Sequence, residues 1–443
     1  MIGVVGAGKS GISVANHATG RGEKVLLFDD MDPGRLLEGI RSLLSPGVEL
    51  VQGMPTEGVA GQFDYLVVSP GVPLWKLPLS QLGKRGVEVL GEVEYAFRNI
   101  EGKIVAITGT NGKSTVTALT GMMLEKENFK VFTGGNLNDP LTLACGGDYE
   151  VYVVELSSFQ LETVKRFRPH VGVLLNVGED HMDRYKSFEE YQQVKGKLFI
   201  NQDEEDFAVY SASDPLTYAL VGKSRGKKYC FSATEKLEEG AWISGNEIHI
   251  QCGGLDVSID MSGFKLEGLH NRENAAAASL AASLSGATAG SIREALSGFR
   301  GLPHRMEFAG TVQGVDFYND SKGTNVHALC SALRGIERKV VLIAGGKDKG
   351  LSFEPAEELM RDKVRHMILI GESALRIREE LGKTIPCKVA GSMENAVREA
   401  LESANPGDMV LLSPGCSSFD MFENFEKRGD AFKGAVWRLS KNE

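Results

Sequence analysis

A short apolar run that breaks into a glycine-rich loop and then into a helical pattern recurs along this chain. It appears as IGVVGAGKSG at 2–11, KIVAITGTNGKST at 103–115 and KVVLIAGGKDKG at 339–350. A run that is apolar at nearly every position suits a strand covered on both faces, which implies a parallel sheet flanked by helices. In such sheets the loops at the carboxyl ends of the strands form the ligand sites. The fold class is therefore α/β.

The runs fall into three series. Residues 1–97 carry IGVVG, KVLLFDD and FDYLVVSPGV. Residues 98–299 carry the strand at 104–108, then YEVYVVELSSFQLE and VGVLLNVGEDHMDRY, and end on the Ala-rich stretch LHNRENAAAASLAASL, stopped by Gly286. Between about 207 and 268, alternating pieces such as WISGNEIHIQCGGLDVSID predict a small antiparallel part. Residues 300–443 carry VDFYNDS, KVVLIAGG, HMILIGES and DMVLLSPG. Three domains in series follow: a Rossmann-like unit, a central P-loop ATPase-like unit with a mainly parallel sheet, and a second Rossmann-like unit. A length of 443 residues accommodates them.

A formal net charge of −10 leaves no basic surface of the kind that displaces counterions from nucleic acid, so no nucleic-acid partner is expected. Neither a signal peptide nor a membrane span is legible, and the six cysteines stand apart without a C-x-x-C pair. A cytoplasmic monomer with reduced thiols, acting on small molecules without a membrane, is the expectation.

The first loop, Gly6-Ala-Gly8-Lys9-Ser10-Gly11, has the strand-before, helix-after context in which backbone N–H groups approach a pyrophosphate, and Asp29 or Asp30 ends the next strand. From these residues alone, a dinucleotide site and a ligand-free turn both remain open. The second loop lacks the first glycine of a full P-loop, since Ile107 stands there. It keeps Gly112, Lys113 for the β- and γ-phosphates, and Ser114 or Thr115 to give a hydroxyl to Mg²⁺. Glu155 and His181 follow neighbouring apolar runs and are candidate groups for the same edge; Lys197 by itself reads as a solvated lysine. In the third series FYNDSKGTN ends a strand in a dense polar loop, with Asp320, Ser321, Lys322, Thr324 and Asn325 able to orient a small zwitterion or a ribose.

GTNGKST, GGN, ELSSFQLE, DHMDRY, GLHNRENAAAA, GLPHRMEF, NDSKGTN and SPGCSSFDMFENFEKRG stand in the order and at the spacing of the Mur ligase family, which the chain resembles over nearly its whole length. The resemblance implies ATP-dependent addition of D-glutamate to UDP-N-acetylmuramoyl-L-alanine in peptidoglycan precursor synthesis, through an acyl phosphate and a tetrahedral intermediate. It implies ATP as co-substrate, two Mg²⁺ ions, and neither NAD nor flavin.

Site residues follow from the same resemblance. The uridine diphosphate substrate would lie against Gly8, Lys9, Ser10, Gly11, Asp29, Asp30, Ser69, Pro70 and Gly71, and its peptide along Asn136, Ser157 and His181. ATP would take Gly109, Thr110, Asn111, Gly112, Lys113, Ser114, Thr115, Asn271, Asn274, Arg305 and Asp320. Metal would be held by Ser114, Glu155, His181 and a carbamylated Lys197. D-Glutamate would meet Lys322, Thr324, Ser418, Phe425 and a lysine of GGKDKG; register favours Lys349, with Lys347 the alternative. Lys113, His181, Lys197, Asn136 and Arg305 would serve catalysis, and hinges are expected near 97 and 300. Other Mur-type ligases and folylpolyglutamate synthases are the near alternatives, opposed by NDSKGTN. An oxidoreductase would leave GTNGKST, Glu155 and His181 unused, and a non-catalytic nucleotide-binding regulator would need no second metal site.

Overall fold

The structure, a computed structural model, describes residues 1–30, 40, 43–60, 62–178, 180, 184–266, 268–348 and 352–441. Close contacts divide the chain into two units, Met1–Phe299 and Arg300–Glu443. Among the described residues the first unit holds two sheets and the second holds one.

The first sheet is wholly parallel, in the order Val48–Gln52, Val25–Asp29, Ile2–Val5, Tyr65–Val68, Glu88–Gly91. Ile2, Val4 and Val5 are fully buried; the helix Lys9–Gly20 covers Ile2 and Val4 with Val14, Ala15 and Ala18, while Val5 packs with Phe28 and Phe63 on the opposite face. The strand order turns back between Ile2–Val5 and Tyr65–Val68, so a crevice opens beyond Val5 and Val68, where the 6–11 and 69–71 loops stand.

Nine strands form the second sheet, in the order Leu255–Asp260, Glu247–Cys252, Gly240–Ser244, Lys227–Ser232, Phe207–Ser211, Val171–Leu174, Lys103–Thr108, Val151–Glu155, Val131–Gly135. Alternate residues of its central strands feed two cores. Val105, Ile107, Val153 and Val173 pack under the helices Lys113–Lys126 and Leu269–Leu284, while Ala106, Val154 and Leu174 meet Phe167 and Phe199 opposite. The Ala-rich sequence of Leu269–Leu284 is buried from Asn274 to Ala282, small side chains letting the helix lie close on the sheet. The antiparallel part is narrower than the sequence suggested. It is the meander of 240–260 alone, because the helix Pro215–Val221 supplies a crossover that makes Phe207–Ser211 and Lys227–Ser232 parallel.

The helix Glu92–Phe97 joins these two sheets, and buried carboxylates fasten it. Glu94, fully buried, accepts from the backbone N–H groups of Lys165 at 2.8 Å and of Arg166 and Phe167 at 3.0 Å, and from Arg98 Nε at 2.9 Å. Glu92 accepts from the N–H and hydroxyl of Thr142 at 2.7 and 2.6 Å. Tyr95 points the other way into the first core, its hydroxyl 2.8 Å from His17 Nδ1. The segment expected as a hinge near 97 is thus bonded on both sides.

In the second unit the order is Glu307–Val312, Val315–Asn319, Met409–Leu412, Val340–Gly345, Val364–Ile370, Cys387–Val389, with only the first pair antiparallel. Helices cover both faces. Among the described residues no helix is long and apolar enough to cross a membrane.

Candidate active site

The central strand Lys103–Thr108 carries a fully buried apolar run whose end must turn sharply into the helix Lys113–Lys126. Gly112 makes that turn at φ +83°. No side chain caps the helix, so the first-turn N–H groups stay available to an anion. The neighbouring strands end in Glu155 and, past Leu174, in Asn176, so their loops converge on the same edge.

Lys113 Nζ donates to the carbonyls of Gly109 at 3.0 Å and Thr110 at 2.9 Å, folded over its own loop. Ser114 Oγ donates to Glu155 Oε2 at 2.5 Å, and Asn136 Nδ2 to Glu155 Oε1 at 2.7 Å. Ser114 and Glu155 are buried; Asn136 is exposed and Thr115 half-buried. Asn274 is buried on the helix Leu269–Leu284 with Asn271 one turn before it, and a Cβ on Gly112 would stand 2.4 Å from Asn274 Oδ1, which puts this pair beside the loop. Ser157 opens the helix Ser158–Leu161 through a reciprocal cap with Gln160. His181 lies outside the described residues.

The structure does not bring Lys197 into this cluster. The helix Phe188–Gly196 gives way at Lys197 to a tighter turn, and Lys197 Nζ donates to the carbonyl of Glu162 at 2.6 Å. Lys195, two residues earlier, is there instead: 1% exposed, its Nζ donates to the carbonyl of Gly109 at 2.8 Å and lies 4.8 Å from the ring centre of Tyr191. Burial, then the charge of Lys113, holds its amine well below the ordinary lysine range. The sequence reading missed Lys195 and two further residues. Tyr191 sets its hydroxyl 3.2 Å from Thr110 Oγ1, and Asn176 Oδ1 accepts from the N–H groups of Thr110 at 3.1 Å and Asn111 at 2.8 Å. The spacing of Tyr191, Val194, Lys195 and Leu198, one buried helical stripe, is the signal that marks Lys195 as inward.

Among the described residues no three His, Cys, Asp or Glu side chains gather into a metal cage. A hydroxyl and a buried carboxylate 2.5 Å apart nevertheless fit Mg²⁺, which takes one or two protein oxygens and leaves its other positions to phosphates and water.

In the first sheet Asp29 Oδ2 accepts from the Ala7 N–H at 2.8 Å, and Ser69 Oγ donates to the Gly6 carbonyl at 2.9 Å, so both shape the loop. A Cβ on Gly11 would fall 1.8 Å from the Gly6 oxygen, so only glycine lets this helix start so close to the strand. Gly8, Lys9 and Gly71 are exposed, Ser10 and Pro70 half-buried, and Asp30 pairs with Lys76 at 3.0 Å.

In the second unit three neighbouring parallel strands end in NDSKGTN, SPGCSS and GGKDKG. Asp320 is buried; its Oδ2 accepts from Ser413 Oγ at 2.8 Å, and burial pushes its carboxyl up to about 6. Arg305 is exposed. Lys322 Nζ stands over the Phe425 ring at 5.6 Å, Thr324 is half-buried and Ser418 buried. Lys347 pairs with Glu372 at 2.8 Å; Lys349 lies outside the described residues.

An uncapped helix start of the kind that suits a phosphate and a hydroxyl–carboxylate pair suited to a hard cation, at the ends of parallel strands, fit the class of nucleotide-dependent ligases. The chain matches the Mur ligase MurD-like N-terminal domain over 1–91, the Mur ligase middle domain over 107–282 and the Mur ligase glutamate ligase domain over 304–416. It belongs to the Mur ligase family, whose members are ATP-dependent and use Mg²⁺. Among its relatives, the UDP-N-acetylmuramoylalanine--D-glutamate ligase of Thermoanaerobacter sp. (strain X514) is 41% identical over 99% of this chain and 98% of that one. The enzyme of the same name from Geotalea daltonii is 42% identical over 99% of this chain and 97% of that one. The fold is similar to that of the UDP-N-acetylmuramate-alanine ligase of Thermotoga maritima, with TM-score 0.57, 19% identity and coverage of 100% of this chain and 99% of that one. A pseudomurein peptide ligase type C from Methanothermus fervidus gives TM-score 0.58, 18% identity and 99% coverage of both chains.

Proposed function

We propose that this chain joins D-glutamate to UDP-N-acetylmuramoyl-L-alanine and cleaves ATP to ADP and phosphate as it does so. The grouping of Lys113, Ser114, Glu155 and Asn136 at the end of the central sheet carries this reading. The choice of D-glutamate is supported by the names of relatives that match along nearly the whole chain.

A carboxylate resists an amine because its oxygen is a poor leaving group. Transfer of the γ-phosphoryl group to the L-alanine carboxylate gives an acyl phosphate. The D-glutamate nitrogen then adds to the carbonyl carbon, forming a tetrahedral intermediate; the C–O bond to phosphate breaks and the nitrogen loses a proton. Lys113 swings from its carbonyl contacts to the phosphates and neutralises charge as it builds there, the largest contribution in such transfers. Ser114 and Glu155 would hold Mg²⁺, which supplies charge neutralisation at the transferring oxygens.

A second ion would fall to Glu155, His181 and a modified lysine, and we assign that lysine as Lys195 rather than Lys197. A buried amine beside Gly109 that adds CO₂ and releases a proton becomes a carbamate, an oxygen ligand suited to a hard cation. Asn271 and Asn274 would face the adenine. The 6–11 and 69–71 loops would grip the uridine diphosphate as a handle, with no nicotinamide, and the C-terminal loops would hold D-glutamate. We take the enzyme as a cytoplasmic monomer of three domains, 1–97, 98–299 and 300–443.

The test is phosphate release from ATP. It should require UDP-N-acetylmuramoyl-L-alanine and D-glutamate together. Release with another amino acid at equal efficiency, or with neither substrate present, would overturn the reading.

A further inference from the structure

Arg428, on the helix Phe425–Lys441, is 1% exposed, yet among the described residues no carboxylate forms an ion pair with it. Its guanidinium is spent on neutral groups. Nε donates to Ser321 Oγ at 3.0 Å, Nη2 to the Ser321 carbonyl at 2.8 Å and Nη1 to the Cys416 carbonyl at 3.0 Å. Ser321 Oγ passes the contact on to the carbonyl of Phe425 at 2.8 Å. The third loop closes over the same group: a Cβ on Gly346 would stand 3.2 Å from Arg428 Nη1 and 2.3 Å from the Ser417 carbonyl, to which Lys347 N–H donates at 2.9 Å.

Packing alone does not account for this choice. Burying a cation among neutral acceptors costs desolvation energy that an apolar side chain of like volume avoids. A planar fork, however, fixes two separate chain segments at set angles, as a flexible lysine does not. Each segment adjoins a residue assigned above to the amino-acid substrate: Ser321 precedes Lys322, and Cys416 stands two residues before Ser418. Asp420 attracts this cation at longer range without forming an ion pair with it, and a cation so placed beneath the loops suits a substrate bearing two carboxylates.

We propose that Arg428 is the positioning residue of the D-glutamate pocket, its fork locking the 320–324 and 416–418 loops in register beneath the 345–347 loop. This rests on the assignment of D-glutamate to these loops. The test is steady-state kinetics on the full-length chain with each of the three substrates varied in turn. Arg428→Lys keeps the charge and loses the fork, so the KM for D-glutamate should rise about tenfold or more while those for ATP and the UDP substrate stay within about twofold. Ser321→Ala should shift the same constant in the same direction by less. Equal rises in all three constants, or an unchanged KM for D-glutamate, would overturn the proposal. Where melting curves show that Arg428→Lys fails to fold, Ser321→Ala decides by the same criterion. An unmodified enzyme that uses another amino acid and not D-glutamate refutes the functional reading itself, and this proposal with it.

Discussion

Lys113 and Lys195 donate to one and the same oxygen, the carbonyl of Gly109, at 3.0 and 2.8 Å. Holding both amines on one acceptor is eased because burial, then the charge of Lys113, disfavours protonation of Lys195. Phosphate entering the loop gives Lys113 a stronger partner than the carbonyls it now holds.

Lys113→Ala should therefore lower turnover by about a thousandfold or more, the scale seen when a charge-stabilising group is lost. Calorimetric binding of UDP-N-acetylmuramoyl-L-alanine should stay nearly unchanged. Equal loss of both would contradict the division between a handle in the first sheet and a reacting nucleotide in the second.

Lys195→Ala and Lys197→Ala should part company. The first should be inactive and partly restored by acetate or another short carboxylate, which replaces the missing oxygens. The second removes one bond to the Glu162 carbonyl and should cost about 1 kcal/mol of stability with turnover largely kept. Melting curves and rescue assays on the two variants check the assignment.

Asn176→Ala deletes the amide that holds the Thr110 and Asn111 N–H groups in place. A loosened loop should raise the KM for ATP about tenfold, the equivalent of roughly 1.4 kcal/mol, with the KM for the UDP substrate unmoved. A uniform rise in both constants would assign Asn176 to general stability.

Asp320 gives a pH dependence. Its carboxyl is raised to about 6 from an ordinary 3.8, so the fold holds this proton more tightly than the unfolded chain does. The stability that this carboxyl contributes is then lost as pH rises from about 4 to about 6, by up to about 3 kcal/mol, with no further change from this group above. Asp320→Asn removes the slope, so denaturant titrations should find the variant relatively more stable at pH 7.5 and the gap closing near pH 4.

The strand-end turns were legible because their pattern is local: glycine, lysine and hydroxyl residues directly after an apolar strand mark a sharp strand-to-helix turn from a few positions. Partners drawn from other segments were not. Asn176 lies 65 residues beyond Asn111, and its role appears only once Val171–Leu174 pairs with Lys103–Thr108. Lys195 and Lys197 differ by two positions, a separation that on a helix places side chains on different faces. The tighter turn at Lys197 completes the divergence. Arg428 reads in sequence as one more charge in a mixed run, since nothing local announces that Ser321 and Cys416 fold around it.

Glu94 rivets the helix Glu92–Phe97 to the central sheet while Tyr95 is sunk in the sheet before it. The 6–11 loop, proposed above to grip the uridine diphosphate, and the loop of Lys113 are thereby tied through one bonded helix. If the two loops take the two ends of one substrate as proposed, the joint would gauge molecular length and disfavour analogues whose tether is a residue too short or too long.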